Sequence, residues 1–129
     1  MSSGHAFVSF AGRALLALIF ILAGWQKITG HEMTVSYMQA YGVPGALLPL
    51  VILVELGGGL AILLGIFTRI AALALAGFCL VSGAIFHGDF ADNVQLALFL
   101  KNLAMTGGLL LLFANGPGAW ALRGTSPET

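Results

Sequence analysis

Four long apolar runs constrain this chain more than any other feature. They cover about residues 7–28, 47–67, 69–87 and 94–114. Each is close to the roughly 20 residues that a helix needs to cross a hydrocarbon layer about 30 Å thick. A backbone inside lipid must satisfy its own hydrogen bonds, which leaves only a helix or a closed barrel. Barrel strands read as alternating segments of about ten residues, shorter and less continuous than these runs. The expected fold is therefore all-α, an integral membrane four-helix bundle in a single domain spanning 1–129. Charge content agrees: 8% of residues are Asp, Glu, Lys or Arg, against about 25% in soluble domains. A net charge of zero leaves no electrostatic footprint for nucleic acid.

The connections are unequal. Residues 29–49 separate the first two runs, and within them Met33, Tyr37, Met38 and Tyr41 fall at helical spacing. That pattern predicts a short interfacial helix, stopped by Gly42 and Pro44. Only Gly65 to Arg69 separates the second and third runs, which predicts a tight hairpin with Thr68 as N-cap. Asn115-Gly116-Pro117-Gly118 stops the fourth run. Trp120, just beyond, is expected at the membrane interface. The first run is long for a signal-peptide core and lacks a small-x-small cleavage site after it.

A faint repeat runs through the chain. Arg13 to His31 and Arg69 to His87 have the same separation, and each pair precedes a helix with a glycine cluster, Gly57-Gly58-Gly59 or Gly107-Gly108. Two tandem helical hairpins follow from this, with the glycines allowing close helix contact. Four spans place both termini on one side. Arg69 and Arg123, with Arg13 nearby, mark that side, whereas Glu32, Asp89 and Asp92 mark the other, with Lys27 at its edge. The positive-inside rule then puts both termini in the cytoplasm and the protein in the plasma (inner) membrane as a multi-pass chain.

Ionisable groups within spans cost about 2.5–3.5 kcal/mol each on insertion scales and need a reason to be there. Glu55 lies roughly 12 Å into the second span and Lys101 roughly 10 Å into the fourth, at a rise of about 1.5 Å per residue. Both depths are counted from the same face, so a Glu55–Lys101 pair is expected. Gln26 and Lys27 end the first span, His87 ends the third, and Asn102 follows Lys101. One half of the bundle thus collects the polar groups. Two readings follow. In the first, Glu55, Lys101 and His87 perform proton chemistry in a pocket whose ligand is bound by Gln26, Lys27 and Asn102. In the second, the ion pair fixes helix register.

Other residues carry less. His5 and His31 are expected in solvent, and the three histidines have no metal-ligand spacing. Asp89 and Asp92 are expected to solvate a loop. Arg13 and Arg69 are expected to meet lipid head groups. The single cysteine, Cys79, makes no internal disulfide or CxxC pair and is expected to pack. No metal site is expected, and any redox centre would have to be borrowed.

The order of motifs resembles the DoxX family of small membrane proteins. GRALLALIFILAGWQKI, with Gly24 and Lys27 at its end, is similar to that family's first helix. Tyr41-Gly42-Val43-Pro44 resembles its first connection, and LVELGGGLAILLGIFTR its second helix and hairpin. FHGDF and FLKNLAMTGGLLLL resemble its last connection and fourth helix, and Gly116-Pro117-Gly118 fits its stop. The resemblance implies a four-helix membrane fold. It also implies a link to quinone-dependent oxidation, since the family takes its name from a small subunit of a thiosulfate:quinone oxidoreductase. Lys27, Glu55, His87, Lys101 and Asn102 occupy the family-like polar positions. Longer fusion forms in the family carry a further domain without a counterpart here, which argues against independent thiosulfate oxidation.

Two functions are therefore expected to compete. One is a membrane subunit of a redox complex that handles quinone or protons, accessory rather than catalytic by itself, with a partner protein supplying the electrons. The other is a non-enzymatic scaffold, or a small permeation unit formed as a homo-oligomer in the bilayer.

Overall fold

The computed structural model describes residues 2–122, so Arg123 lies outside the described residues. Five helices follow one another: α1 (Ser3–Thr29), α2 (His31–Ala40), α3 (Gly45–Leu64), α4 (Thr68–Phe86) and α5 (Asn93–Asn115). α1, α3, α4 and α5 are each long and apolar enough to cross a membrane. The short α2 falls where the spacing of Met33, Tyr37, Met38 and Tyr41 predicts it.

Local chemistry accounts for the helix ends. Ser2 caps α1 by accepting from the His5 amide at 3.0 Å. Asp92 caps α5, accepting from the Val94 amide at 2.8 Å and the Gln95 amide at 3.4 Å. This is a sharper role than loop solvation, because an Asp side chain satisfies amides that the first turn leaves open. Gly65, at φ +77°, ends α3 in the left-handed conformation. Thr68 is not the cap of α4. Phe67 holds that position at φ 46°, and Thr68 is the first helical residue, fully buried. Reversing the chain between Leu64 and Thr68 forces the left-handed step at Phe67 and turns Thr68 inward.

The bundle is two tandem hairpins. α1 packs along α3, α4 packs along α5, and α3 joins the pairs by contact with α4. The core comprises Ala17, Phe20, Ile62, Ala71, Ala72, Leu75, Ala76, Cys79 and Leu109. Cys79 is packing, as expected. Small residues set the α1–α3 distance. A Cβ on Gly24 would lie 2.8 Å from Leu56 Cβ, and one on Gly59 would lie 2.9 Å from Ile21 Cγ1. The second glycine cluster behaves differently, because Gly107 has nothing within 4 Å and Gly108 meets Leu16 only at ordinary contact, 3.7 Å.

Arg13 does not reach for head groups but turns into the bundle. Arg13 is 3% exposed. Its guanidinium donates to the carbonyls of Pro117 (2.6 Å), Leu63 (3.2 Å) and Trp120 (2.6 Å). Arg69 donates to the Ala114 carbonyl at 3.4 Å. In each hairpin, an arginine near the start of the first helix satisfies a carbonyl that the second helix leaves open at its end. Trp120 packs on Phe7 and Phe10, with ring centroids 6.0 and 5.9 Å away.

Candidate ligand pocket

A cavity of about 420 Å³ opens inside the bundle, at the end that carries the α1–α2 and α4–α5 connections. Its walls are mainly apolar, with Ile19, Phe20, Val51, Phe78, Ile85 and Met105 among them. Lys27, Glu55, Ser82, His87 and Asn102 add polar groups, and Thr34, Tyr37 and Met38 of α2 close one side. A few convergent polar groups in an apolar cavity of several hundred Å³ are the usual make-up of a small-molecule site.

Glu55 stands at the centre of this arrangement. The turn Leu53–Gly57 is a π turn within α3, a widened turn that occurs disproportionately at functional sites. Glu55 is 4% exposed. Its Oε1 lies 2.6 Å from Lys27 Nζ. The ion pair therefore joins α1 to α3, and the expected Glu55–Lys101 pair does not form. Lys101 is exposed and does not line the cavity. Glu55 and Asn102 meet at one cavity, whereas Lys101 points away from it. Consecutive residues on a helix point about 100° apart, and Asn102, not Lys101, faces inward. Lys27 reaches Glu55 because side chains on a helix lean back toward its N-terminus. From the last turn of α1, that direction leads down into the bundle.

Asn102 is held in place. Its Nδ2 donates to the Cys79 carbonyl at 3.1 Å, and Gly83 leaves the room for it, since a Cβ there would sit 3.1 Å from that same nitrogen. Ser82, which sequence reasoning missed, also lines the cavity and donates to the Cys79 carbonyl at 3.5 Å. His87 caps the end of α4, its amide donating to the Gly83 carbonyl at 2.9 Å. Its Nδ1 is buried without a hydrogen-bond partner, which costs free energy unless something else meets it. Gln26 is exposed and does not line the cavity, so it leaves the expected binding set. His5 and His31 are exposed, as expected. Of six expected site residues, the fold brings together Lys27, Glu55, His87 and Asn102 and excludes Gln26 and Lys101. Among the described residues no cluster of His, Cys, Asp or Glu could hold a metal ion.

Four membrane-length helices around a cavity with a buried ion pair define a small polytopic membrane bundle with a ligand-sized interior. The chain belongs to the DoxX family, whose match covers residues 8–88, from α1 to the end of α4. It is 54% identical over 110 residues to inner membrane protein YqjF of Escherichia coli, covering 85% of each chain. It is 36% identical over 118 residues to inner membrane protein YphA of the same organism, covering 85% of this chain and 84% of the relative. It is 30% identical over 105 residues to a Bacillus subtilis protein named "Putative oxidoreductase CatD", covering 77% and 78%. No solved structure matches the chain.

Proposed function

We propose that this chain is an inner-membrane subunit of a redox complex and that its cavity receives the head group of a quinone. The observation that carries the reading is the placement of Glu55, Lys27, His87 and Asn102 at one apolar cavity. A quinone head group is flat and apolar, with carbonyl oxygens that accept hydrogen bonds. Lys27 and the unpaired His87 Nδ1 are positioned to serve those oxygens, and the anchored Asn102 amide orients the ring. Reducing a quinone to the quinol takes two electrons and two protons. Glu55 and His87 are the groups that exchange protons with the ligand. The electrons come from a redox centre on a partner protein. The name of the Bacillus relative and the quinone link of the family agree with this assignment. The reading also places both termini in the cytoplasm, because Arg13 and Arg69 lie toward that end and the positive-inside rule assigns it inward.

A scaffold with a structural ion pair is the second reading. It is favoured by one observation: Lys27 and Glu55 already satisfy each other's charge within the chain. Titrating a short-chain benzoquinone into protein in nanodiscs separates the two. Saturable binding, weakened about tenfold or more by Glu55→Gln or His87→Ala and left intact by Lys101→Met, is the expected result. No binding by the unmodified protein would leave the scaffold.

A further inference from the structure

We infer that α2 is a lid over the cavity, latched by Tyr37 and Tyr41 against Phe86, and that Tyr41 governs ligand access without touching the ligand. The inference rests on the reading of the cavity as a ligand site. α2 contributes Thr34, Tyr37 and Met38 to the cavity wall, yet all its hydrogen bonds are local. Thr34 donates through its amide and its hydroxyl to the Gly30 carbonyl, at 3.0 and 2.9 Å. The Tyr41 and Val43 amides donate to the Met38 carbonyl at 3.0 and 2.9 Å, and the Gly42 amide to the Gln39 carbonyl at 3.0 Å. Among the described residues, no hydrogen bond ties α2 to α3, α4 or α5.

What holds α2 down is side-chain contact. Met38 is its one buried residue. Tyr37 stacks on Phe86, the last residue of α4, with centroids 5.1 Å apart and planes 19° apart. Tyr41 meets Phe86 edge-on at 5.0 Å and Tyr37 at 5.0 Å. Such contacts separate without leaving a backbone group unsatisfied, because the backbone hydrogen bonds of α2 stay within the segment. A glycine stands at each end of the segment: Gly30 alone separates α1 from α2, and Gly42 lies at φ +77°. Short glycine-flanked segments with few packed contacts are the elements that open first in a folded protein. Phe86 and Tyr37 line the cavity, whereas Tyr41 does not. Tyr41 is thus a positioning residue, acting through the other two rings.

Backbone hydrogen exchange and stopped-flow binding of a decyl-tailed benzoquinone, on the whole protein in nanodiscs, test this together. Tyr41→Ala should speed exchange across α2 about tenfold and leave α1 and α3–α5 unchanged, because two aromatic contacts are lost. Tyr41→Phe should restore the slow exchange. The quinone's association and dissociation rates should both rise in Tyr41→Ala, with Kd moving less than either. Phe86→Ala should give the same loosening of α2, so the test does not depend on one variant. Exchange across α2 as slow as in the spans, or indifferent to Tyr41→Ala, overturns the lid. Quinone binding that fails in the unmodified protein while Tyr41→Ala still frees α2 supports the lid and removes the quinone reading instead.

Discussion

Lys27 Nζ and Glu55 Oε1 lie 2.6 Å apart, joining the last turn of α1 to the π turn of α3. The carboxylate is almost wholly enclosed, with its side chain 6% exposed, while the lysine side chain keeps 27% of its surface open. Breaking an enclosed pair costs more than the pair contributes, because the remaining charge is left unmatched. Lys27→Met should therefore destabilise the bundle by about 3 kcal/mol, toward the low end of the range for buried pairs. The double variant Lys27→Met with Glu55→Leu should recover most of that loss. Thermal unfolding in detergent would show it, and a double variant no more stable than Lys27→Met would count against the pair's isolation.

Lys101→Met offers the sharpest contrast, since Lys101 has no partner among the described residues and faces outward. The same melting assay should show a change within about 0.5 kcal/mol, as for exposed positions generally. A loss matching that of Lys27→Met would restore Lys101 to the site.

The α1–α3 crossing should respond to size at Gly59 but not everywhere glycine occurs. Gly59→Leu places a side chain against Ile21 and Phe20, where even a Cβ would be 2.9 Å from Ile21 Cγ1. A cost of about 1–3 kcal/mol or more follows from overpacking. Gly107→Ala, with nothing within 4 Å, should be neutral or slightly stabilising by helix propensity. Equal losses at both positions would mean that this face of α5 is covered.

Arg13 holds three carbonyls from two segments, so Arg13→Met should cost about 3 kcal/mol by leaving buried acceptors without donors. Arg69→Met, which removes a single bond at 3.4 Å, should cost less. Circular dichroism melts of the two variants rank them, and the reverse order would contradict the geometry.

Phe67 sits at φ 46° and is mostly exposed. A non-glycine residue in the left-handed region costs on the order of 1 kcal/mol. Phe67→Gly should therefore raise stability by about 0.5–1 kcal/mol. A lowered melting temperature would show that the ring's contact with the membrane interface outweighs the strain.

Several parts of this molecule were legible from local pattern. The four spans fall within a few residues of the apolar runs, and α2 was visible in the spacing of Met33, Tyr37, Met38 and Tyr41. Glu55 was visible as a polar group that lipid would not tolerate unaided. The inward turn of Thr68, the carbonyls around Arg13, the π turn and the hydroxyl of Ser82 at the cavity were not. Each depends on residues distant in sequence, or on a backbone irregularity that carries no compositional mark.

The sequence by itself determined that this chain is a four-span membrane bundle, because the demand for about 20 apolar residues per crossing is local and additive along the chain. Only the tertiary structure decided direction. A span that is apolar all round gives no hydrophobic face from which to read rotation about its axis. One step of about 100° therefore separated Asn102, turned toward the cavity, from Lys101, turned away. The close approach of α1 and α3 at Gly24 and Gly59 then made Lys27, at the end of its helix, the partner of Glu55.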